Sequence, residues 1–214
     1  MPQRGKFITF EGCEGAGKST QTKMLSEYLT SQGIETIVTR EVGGTDSAEQ
    51  IRECWLSKPE GFWEPATEVL LIMAARNEHI NKKILPALKE GKWVICDRFL
   101  DSTIAYQGLG LGVDIGMIKK LYEQIAEGIK PDITILLDIK ANSGLNRVAS
   151  RKGIDDRYQQ KNVEFHEKLR EAYLSIANEE ENKLRFAIVD AQEDKEIIAS
   201  KIAKIVDERL LNGE

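Results

Sequence analysis

Apolar positions fall along this chain in short runs and helical stripes that alternate from end to end. Residues 7–10 form a run of apolar and β-branched side chains that stops at Glu11-Gly12, which predicts a first strand. The following segment sets Met24, Leu25, Tyr28 and Leu29 on one face, a helical spacing that ends before Gly33 in the usual stop position. Residues 36–39 predict a second strand and residues 48–56 a helix. Pro65 opens a longer helix whose apolar face holds Val69, Leu70, Ile72, Met73 and Ile80, and Pro86 is expected to kink or end it before Gly91. Residues 93–96, 133–137 and 185–189 predict three further strands, with helical patterns in the intervals and a last helix over about 195–211. The runs 93–96 and 133–137 are almost wholly apolar, as expected of a parallel sheet covered on both faces. The alternation predicts an α/β fold, a doubly wound parallel five-stranded sheet with helices on both faces. No repeat, linker or composition break divides the chain, so residues 1–214 read as a single domain.

Composition narrows the function classes. Thirty Lys and Arg against 35 Asp and Glu leave a net charge of -5, which argues against broad binding to a nucleic-acid backbone, although a local arginine cluster remains compatible with it. Cys13, Cys54 and Cys96 are odd in number and widely spaced, and read as reduced thiols without a zinc or redox motif. The start, Met1-Pro2-Gln3-Arg4-Gly5, lacks the apolar core of a signal peptide. The longest apolar run, residues 69–75, is far short of the roughly 20 residues that cross a bilayer. A soluble cytoplasmic domain with no nucleic-acid or membrane partner is the expectation.

Gly12-Cys13-Glu14-Gly15-Ala16-Gly17-Lys18-Ser19 matches G-x-x-x-x-G-K-[ST] at every fixed position, and it leaves a predicted strand to open a predicted helix. Glycines let the backbone wrap a phosphate with its N–H groups inward, at the positive end of a helix. Lys18 is placed to reach the β- and γ-phosphates and Ser19 to bind Mg²⁺, with Thr20 completing the ATP-binding run. This is the mark of a P-loop NTPase-type fold. A guanine-specific switch would carry Asn-Lys-x-Asp, and neither Asn81-Lys82 nor Asn182-Lys183 has the aspartate.

A kinase for a small phosphorylated acceptor needs a second anion site. Asp97-Arg98-Phe99 follows a strand at the carboxyl edge of the sheet, where Arg40 and Glu41 end another, and Arg52 and Arg76 lie in the helices that follow. Several arginines beside a phosphate loop suit a second phosphate. The charge-dense stretch 150–161 reads either as a solvated loop or as a flap that brings arginines to an anionic substrate.

Several motifs together resemble the thymidylate kinase family. They are Phe10-Glu11-Gly12 with the phosphate loop, Thr39-Arg40-Glu41-Val42-Gly43-Gly44-Thr45, Ala74-Ala75-Arg76, Asp97-Arg98-Phe99 with Ser102-Thr103 and Ala105-Tyr106-Gln107, and Pro131-Asp132 with Leu137-Asp138. They keep the family's order and spacing over residues 7–192. The resemblance implies transfer of the γ-phosphoryl group of ATP to dTMP, giving dTDP and ADP, with Mg²⁺. It implies an acceptor region over about 40–107, where Glu14 meets the sugar 3′-hydroxyl and Arg52 and Arg98 hold the acceptor phosphate. Arg76 and Thr103 would read the pyrimidine edge, Tyr106 pack on the deoxyribose, and Glu41, Ile72, Ser102 and Gln107 line the same site. Asp97 would stand near the metal, Arg147 against adenine, and Ala191 and Gln192 in the loop over that base.

Two positions depart from the family pattern. Val42 replaces its usual proline, and Ile72 its usual stacking aromatic, which lowers the π contribution to base binding by about 1 kcal/mol. The phosphate loop carries no arginine between Gly12 and Gly17, as in bacterial members, whose catalytic arginines come from the flap; Arg151 and Arg157 match them. The family further implies a homodimer, with the apolar face over 69–80 as a candidate interface that periodicity does not distinguish from core. Other readings are a small kinase for another nucleotide or deoxynucleoside, and an ATP-binding P-loop switch protein.

Overall fold

Five parallel strands, β1 (Phe7–Glu11), β2 (Thr36–Arg40), β3 (Trp93–Asp97), β4 (Ile133–Asp138) and β5 (Phe186–Asp190), lie in the order β2-β3-β1-β4-β5. The computed structural model describes residues 4–149, 158 and 161–212. Side chains alternate across the sheet with the period of a strand. Ile8, Phe10, Ile95, Ile133, Ile135 and Leu137 pack on one face with Leu25 and Leu29 of α1 (Lys18–Ser31) and Ile198 and Ile202 of α9 (Lys195–Val206). Phe7, Val94, Cys96 and Leu136 face the other way. They meet Val69 and Ile72 of α3 (Pro65–His79), Ile118 of α6 (Ile115–Ile125) and Leu169 and Ile176 of α8 (Val163–Asn178). The fold is the doubly wound α/β sheet expected.

Every strand runs one residue past its apolar run, ending at Glu11, Arg40, Asp97, Asp138 and Asp190. Backbone pairing does not depend on hydropathy, so the ladder continues to Phe10↔Asp97, Arg40↔Asp97 and Asp138↔Asp190. The result is a row of charged side chains along the carboxyl edge, where open α/β sheets bind ligands.

The α3 helix passes through one π-helical stretch, Ile80–Ile84, into α4 (Leu85–Lys89). The wider turn, with the Leu85 N–H bonded to the Ile80 carbonyl, accommodates Pro86, whose nitrogen donates no hydrogen. The interruption expected at Pro86 takes this form, and the helix ends at Lys89, just short of Gly91. The face over 69–80 is corrected by the structure. Val69, Ile72, Met73 and Ile80 are buried in the protein's own core, so these four belong to the core rather than to a surface, and Leu70 alone of that set is exposed. Its partners are the sheet and α6, which periodicity cannot name.

Among the described residues the other helices are α2 (Asp46–Leu56), α5 (Leu100–Thr103) continued by a π-helical stretch Ile104–Gly110, and α7 (Ala141–Ala149), and a π-helical stretch Asp207–Leu211 continues α9. Thr45 caps α2 by accepting the Ala48 N–H, and Asn162 caps α8 through the Phe165 N–H at 2.9 Å. No helix among the described residues is long and apolar enough to cross a membrane.

Candidate active site

Between β1 and α1 the chain turns through Gly12, Gly15 and Gly17, all with positive φ. At two of them the space is closed as well. A Cβ at Gly12 would collide with the Leu137 carbonyl, and one at Gly15 with the Gly144 carbonyl in α7. Lys18, in the first turn of α1, donates from Nζ to the carbonyls of Gly12 (2.9 Å) and Cys13 (3.0 Å). Burial, together with the nearby Arg98 guanidinium, draws its pKa below that of a free lysine. Ser19 Oγ donates to Asp97 Oδ2 at 2.8 Å, so the hydroxyl and the carboxylate expected at a metal stand together. Ala16 is buried, and the Thr20 N–H bonds to the Gly17 carbonyl as α1 begins. Burial pushes the Cys13 thiol up to about 12, and Sγ lies 3.7 Å from the His166 carbonyl. That cysteine stays a thiol and is no nucleophile.

Glu14 links the phosphate loop to the rest of the site. Its Oε1 accepts from Arg98 Nη2 at 2.5 Å and from the Tyr106 hydroxyl at 3.0 Å. Burial would raise its pKa, but Arg98 and Lys18 outweigh this and hold the carboxyl down at about 2. Arg98 follows β3 in the left-handed region (φ 69), which turns its side chain back over the sheet edge. Its Nη1 reaches the Gly12 carbonyl, Ser102 Oγ and the Tyr173 hydroxyl, while the guanidinium lies 5.1 Å from the Tyr106 ring. Beneath it, Glu11 accepts from the Phe99 N–H (2.8 Å) and from Ser102 Oγ (2.6 Å). Burial and the charge of Asp101 raise Glu11 to about 7.

A cleft of about 250 Å³ opens beside this cluster, between the phosphate loop, α2, α3 and residues 98–107. On its floor Arg76, almost completely buried, donates from Nε to Glu41 Oε2 (2.6 Å) and from Nη2 to Thr103 Oγ1 (3.0 Å). Glu41 also bonds His79 Nδ1 at 3.0 Å, and His79 Nε2 bonds Thr39 Oγ1 at 2.7 Å. Burial alone would raise Glu41; Arg76 and His79 outweigh it and keep the carboxylate ionised, with its pKa lowered. Arg52 donates from Nη1 to the Val42 carbonyl at 2.8 Å, and the Glu41–Val42 peptide is cis. Ile72, Ser102, Thr103, Tyr106 and Gln107 line the same cleft.

The cleft therefore gathers Glu14, Gly15, Gly17, Lys18, Ser19, Glu41, Arg52, Ile72, Arg76, Asp97 and Arg98 with Ser102, Thr103, Tyr106 and Gln107. Arg147, Ala191 and Gln192 lie outside it. Arg147 donates to the Ala191 carbonyl at 2.8 Å, Ala191 is buried, and the Gln192 N–H bonds Asp190. Arg151 and Arg157, and most of the flap, fall outside the described residues. Sequence reasoning missed Glu11, Trp55, Glu68, His79, Tyr158 and Tyr173. Glu68 and His79 left a signal, since both are polar residues on the apolar face of α3. No cluster of three or more His, Cys, Asp or Glu suited to a metal occurs among the described residues. Ser19 with Asp97 fits a hard cation that takes its other ligands from phosphate and water, as Mg²⁺ does.

The chain matches the thymidylate kinase family model over residues 10–202. It is 46% identical to the thymidylate kinase of Afipia carboxidovorans over 214 aligned residues, 99% of this chain and 93% of that one. It is 42% identical to that of Carboxydothermus hydrogenoformans over 210, covering 98% and 100%. The crystal structure of thymidylate kinase from Ehrlichia chaffeensis superposes with a TM-score of 0.75 at 34% identity, covering 95% and 99% of the two chains.

Proposed function

This chain belongs to the thymidylate kinase family, and from that premise we propose how its residues divide the work of the reaction. The enzyme transfers the γ-phosphoryl group of ATP to dTMP, giving dTDP and ADP. The acceptor is already an oxyanion, so alignment and charge stabilisation do the catalysis and no general base is needed.

The observation that carries the division of labour is the contact of Glu14 with Arg98 and Tyr106. One loop holds the donor phosphates and, two residues after Gly12, reaches the wall of the acceptor cleft. Lys18 exchanges two neutral carbonyls for the β- and γ-phosphates, a stronger partner for an ammonium. The inward N–H groups of Gly15 to Ser19 bind the same phosphates. Arg98 and Arg52 take the acceptor phosphate, Glu14 the 3′-hydroxyl, and Tyr106 packs on the deoxyribose. Arg76 and Thr103 read the pyrimidine, with Ile72 as an aliphatic floor and Glu41, Ser102 and Gln107 around it. Arg147, Ala191 and Gln192 form the adenine end, and Arg151 and Arg157 bring flap charge to the transferring group. Ser19 and Asp97 would hold Mg²⁺, which, when bound, neutralises charge on the donor phosphates.

The chain works as one nucleoside-monophosphate-kinase-like domain, with the acceptor region over about 40–107 and the flap over about 150–161, in the cytoplasm and as a homodimer. With the inward face of α3 committed to core, the dimer face is the outer side of α2 and α3, where Ile51, Cys54 and Leu71 border a shallow groove. Profiling with ATP and dTMP, dUMP, dCMP or thymidine tests the function. Expected is dTMP as the acceptor of highest kcat/KM. Preference for thymidine would point to a nucleoside kinase, and ATP hydrolysis with no acceptor at all to a switch protein.

A further inference from the structure

Glu68 lies on α3 one turn before Ile72 and two before Arg76, and all three side chains are buried toward the acceptor cleft. Ile72 and Arg76 line the cleft; Glu68 stands behind its wall. Its Oε2 accepts from the Tyr158 hydroxyl at 2.8 Å and lies 3.4 Å from Gln107 Nε2. Gln107 Nε2 also donates to the Tyr158 oxygen at 3.0 Å.

These contacts have a forced direction. A carboxylate only accepts, so the Tyr158 hydroxyl must donate to Glu68, and toward Gln107 its oxygen must accept. What faces that oxygen must be the Gln107 nitrogen, because the amide oxygen there would meet a lone pair and a carboxylate. With Nε2 turned to Glu68 and Tyr158, Oε1 is the polar atom that Gln107 has left to present to the cleft it lines. Across the same cleft Arg76 presents a guanidinium, which only donates. The wall thus offers a donor and an acceptor. A pyrimidine carrying a carbonyl at C4 and N–H at N3 complements this pair, and cytosine, with an amine and a bare nitrogen there, presents the reverse.

Resting on the proposed function above, we propose that Glu68 is a positioning residue for base choice: through Tyr158 and directly, it fixes the Gln107 amide so that its oxygen faces the base and selects thymine over cytosine. Its effect is on discrimination, because it touches neither the phosphate loop nor the reacting phosphates.

The test is Glu68→Gln, which keeps volume and hydrogen-bonding capacity but removes the forced direction. The line of hydrogen bonds through Tyr158 to Gln107 is then no longer forced to run one way. The flipped amide, with its N–H₂ toward the base, donates to the cytosine N3. Expected is a rise of about tenfold in kcat/KM for dCMP, carried by KM, with dTMP losing only about twofold and kcat for dTMP unchanged. Glu68→Met removes the carboxylate and turns the tyrosine hydroxyl toward Gln107 Oε1, so it should move the dTMP:dCMP ratio further the same way. A gain toward dCMP cannot come from mere damage to the fold. If the ratio in Glu68→Gln stays within about threefold of wild type, or falls only through loss of dTMP activity, Glu68 does not set base choice. A wild-type enzyme that itself shows no preference for dTMP over dCMP would instead sink the underlying assignment of the cleft.

Discussion

The Lys18 ammonium is almost completely buried, and it is held by the Gly12 and Cys13 carbonyls at 2.9 and 3.0 Å. Taking a charge out of water costs several kcal/mol unless polar partners replace the solvent. The carbonyls, with the negative charges of Glu14 and Asp97 nearby, supply that replacement. Phosphates offer the same ammonium full charge at hydrogen-bond range, so the lysine matters most when they are bound. Lys18→Ala should therefore lower kcat by at least about tenfold, a loss of about 1.4 kcal/mol or more in transition-state stabilisation. The melting temperature should move little, because removing the ammonium also removes its desolvation cost. Steady-state kinetics and a thermal melt on the same preparation check both halves. A variant that keeps most of its kcat would mean the loop works by its backbone alone.

At the scale of elements, the phosphate loop is held from outside by α7. A Cβ at Gly144 would collide with the Glu14 carbonyl and lie 3.5 Å from Ile139 Cγ2, while Gly15 closes on the Gly144 carbonyl from the other side. Two glycines from distant parts of the chain let helix and loop approach to backbone contact. What a methyl added at Gly144 meets first is the Glu14 backbone, so it has nowhere to go without moving the loop. Gly144→Ala should shift the loop, weaken ATP binding and disturb the Glu14–Arg98 contact, at a cost of about 1–3 kcal/mol typical of overpacking. Calorimetric titration with ATP should show Kd raised by about tenfold or more, with far-UV circular dichroism unchanged. An unaltered Kd would show that the loop yields freely and that α7 does not hold it.

For the whole molecule, Glu11 ties global stability to pH. Burial and the charge of Asp101 raise it to about 7, against an ordinary 4.5. A raised carboxyl means the folded state holds a proton that the unfolded state has already released. Its contribution to stability is full below about pH 4.5 and is lost as pH rises through about 7, at up to about 1.4 kcal/mol per unit between them. Glu14 does not confuse the measurement, because it is held down at about 2 and its titration ends below that window. Urea unfolding at pH 5 and pH 8 should show wild type losing more stability than Glu11→Gln across the interval. Equal losses in both would place the titrating group elsewhere.

Local order could be read directly. The strand interiors follow from alternation and apolar runs, and the phosphate loop from eight contiguous residues whose chemistry acts through neighbouring backbone. Both are properties of adjacent positions, and the structure keeps them. The resemblance to a family extended this to Glu14, Arg76, Arg98 and Tyr106, which share the cleft. Hydropathy failed at the ends of strands, since it stops at the last apolar side chain while backbone pairing carries Glu11, Asp97 and Asp138 into the sheet. It failed again on α3, where a stripe of apolar residues looks the same whether it meets the protein's own sheet or another chain. Glu68 and His79 stood on that stripe as polar exceptions, yet nothing nearby in sequence named their partners. Those partners lie 90 residues away at Tyr158 and 38 away at Glu41, and Arg98 meets Glu14 across 84. Periodicity specifies which face of an element is buried, because burial rewards any apolar neighbour. Which side chains meet there, and which way each hydrogen bond must run, is decided only when packing brings distant donors and acceptors within about 3 Å of one another.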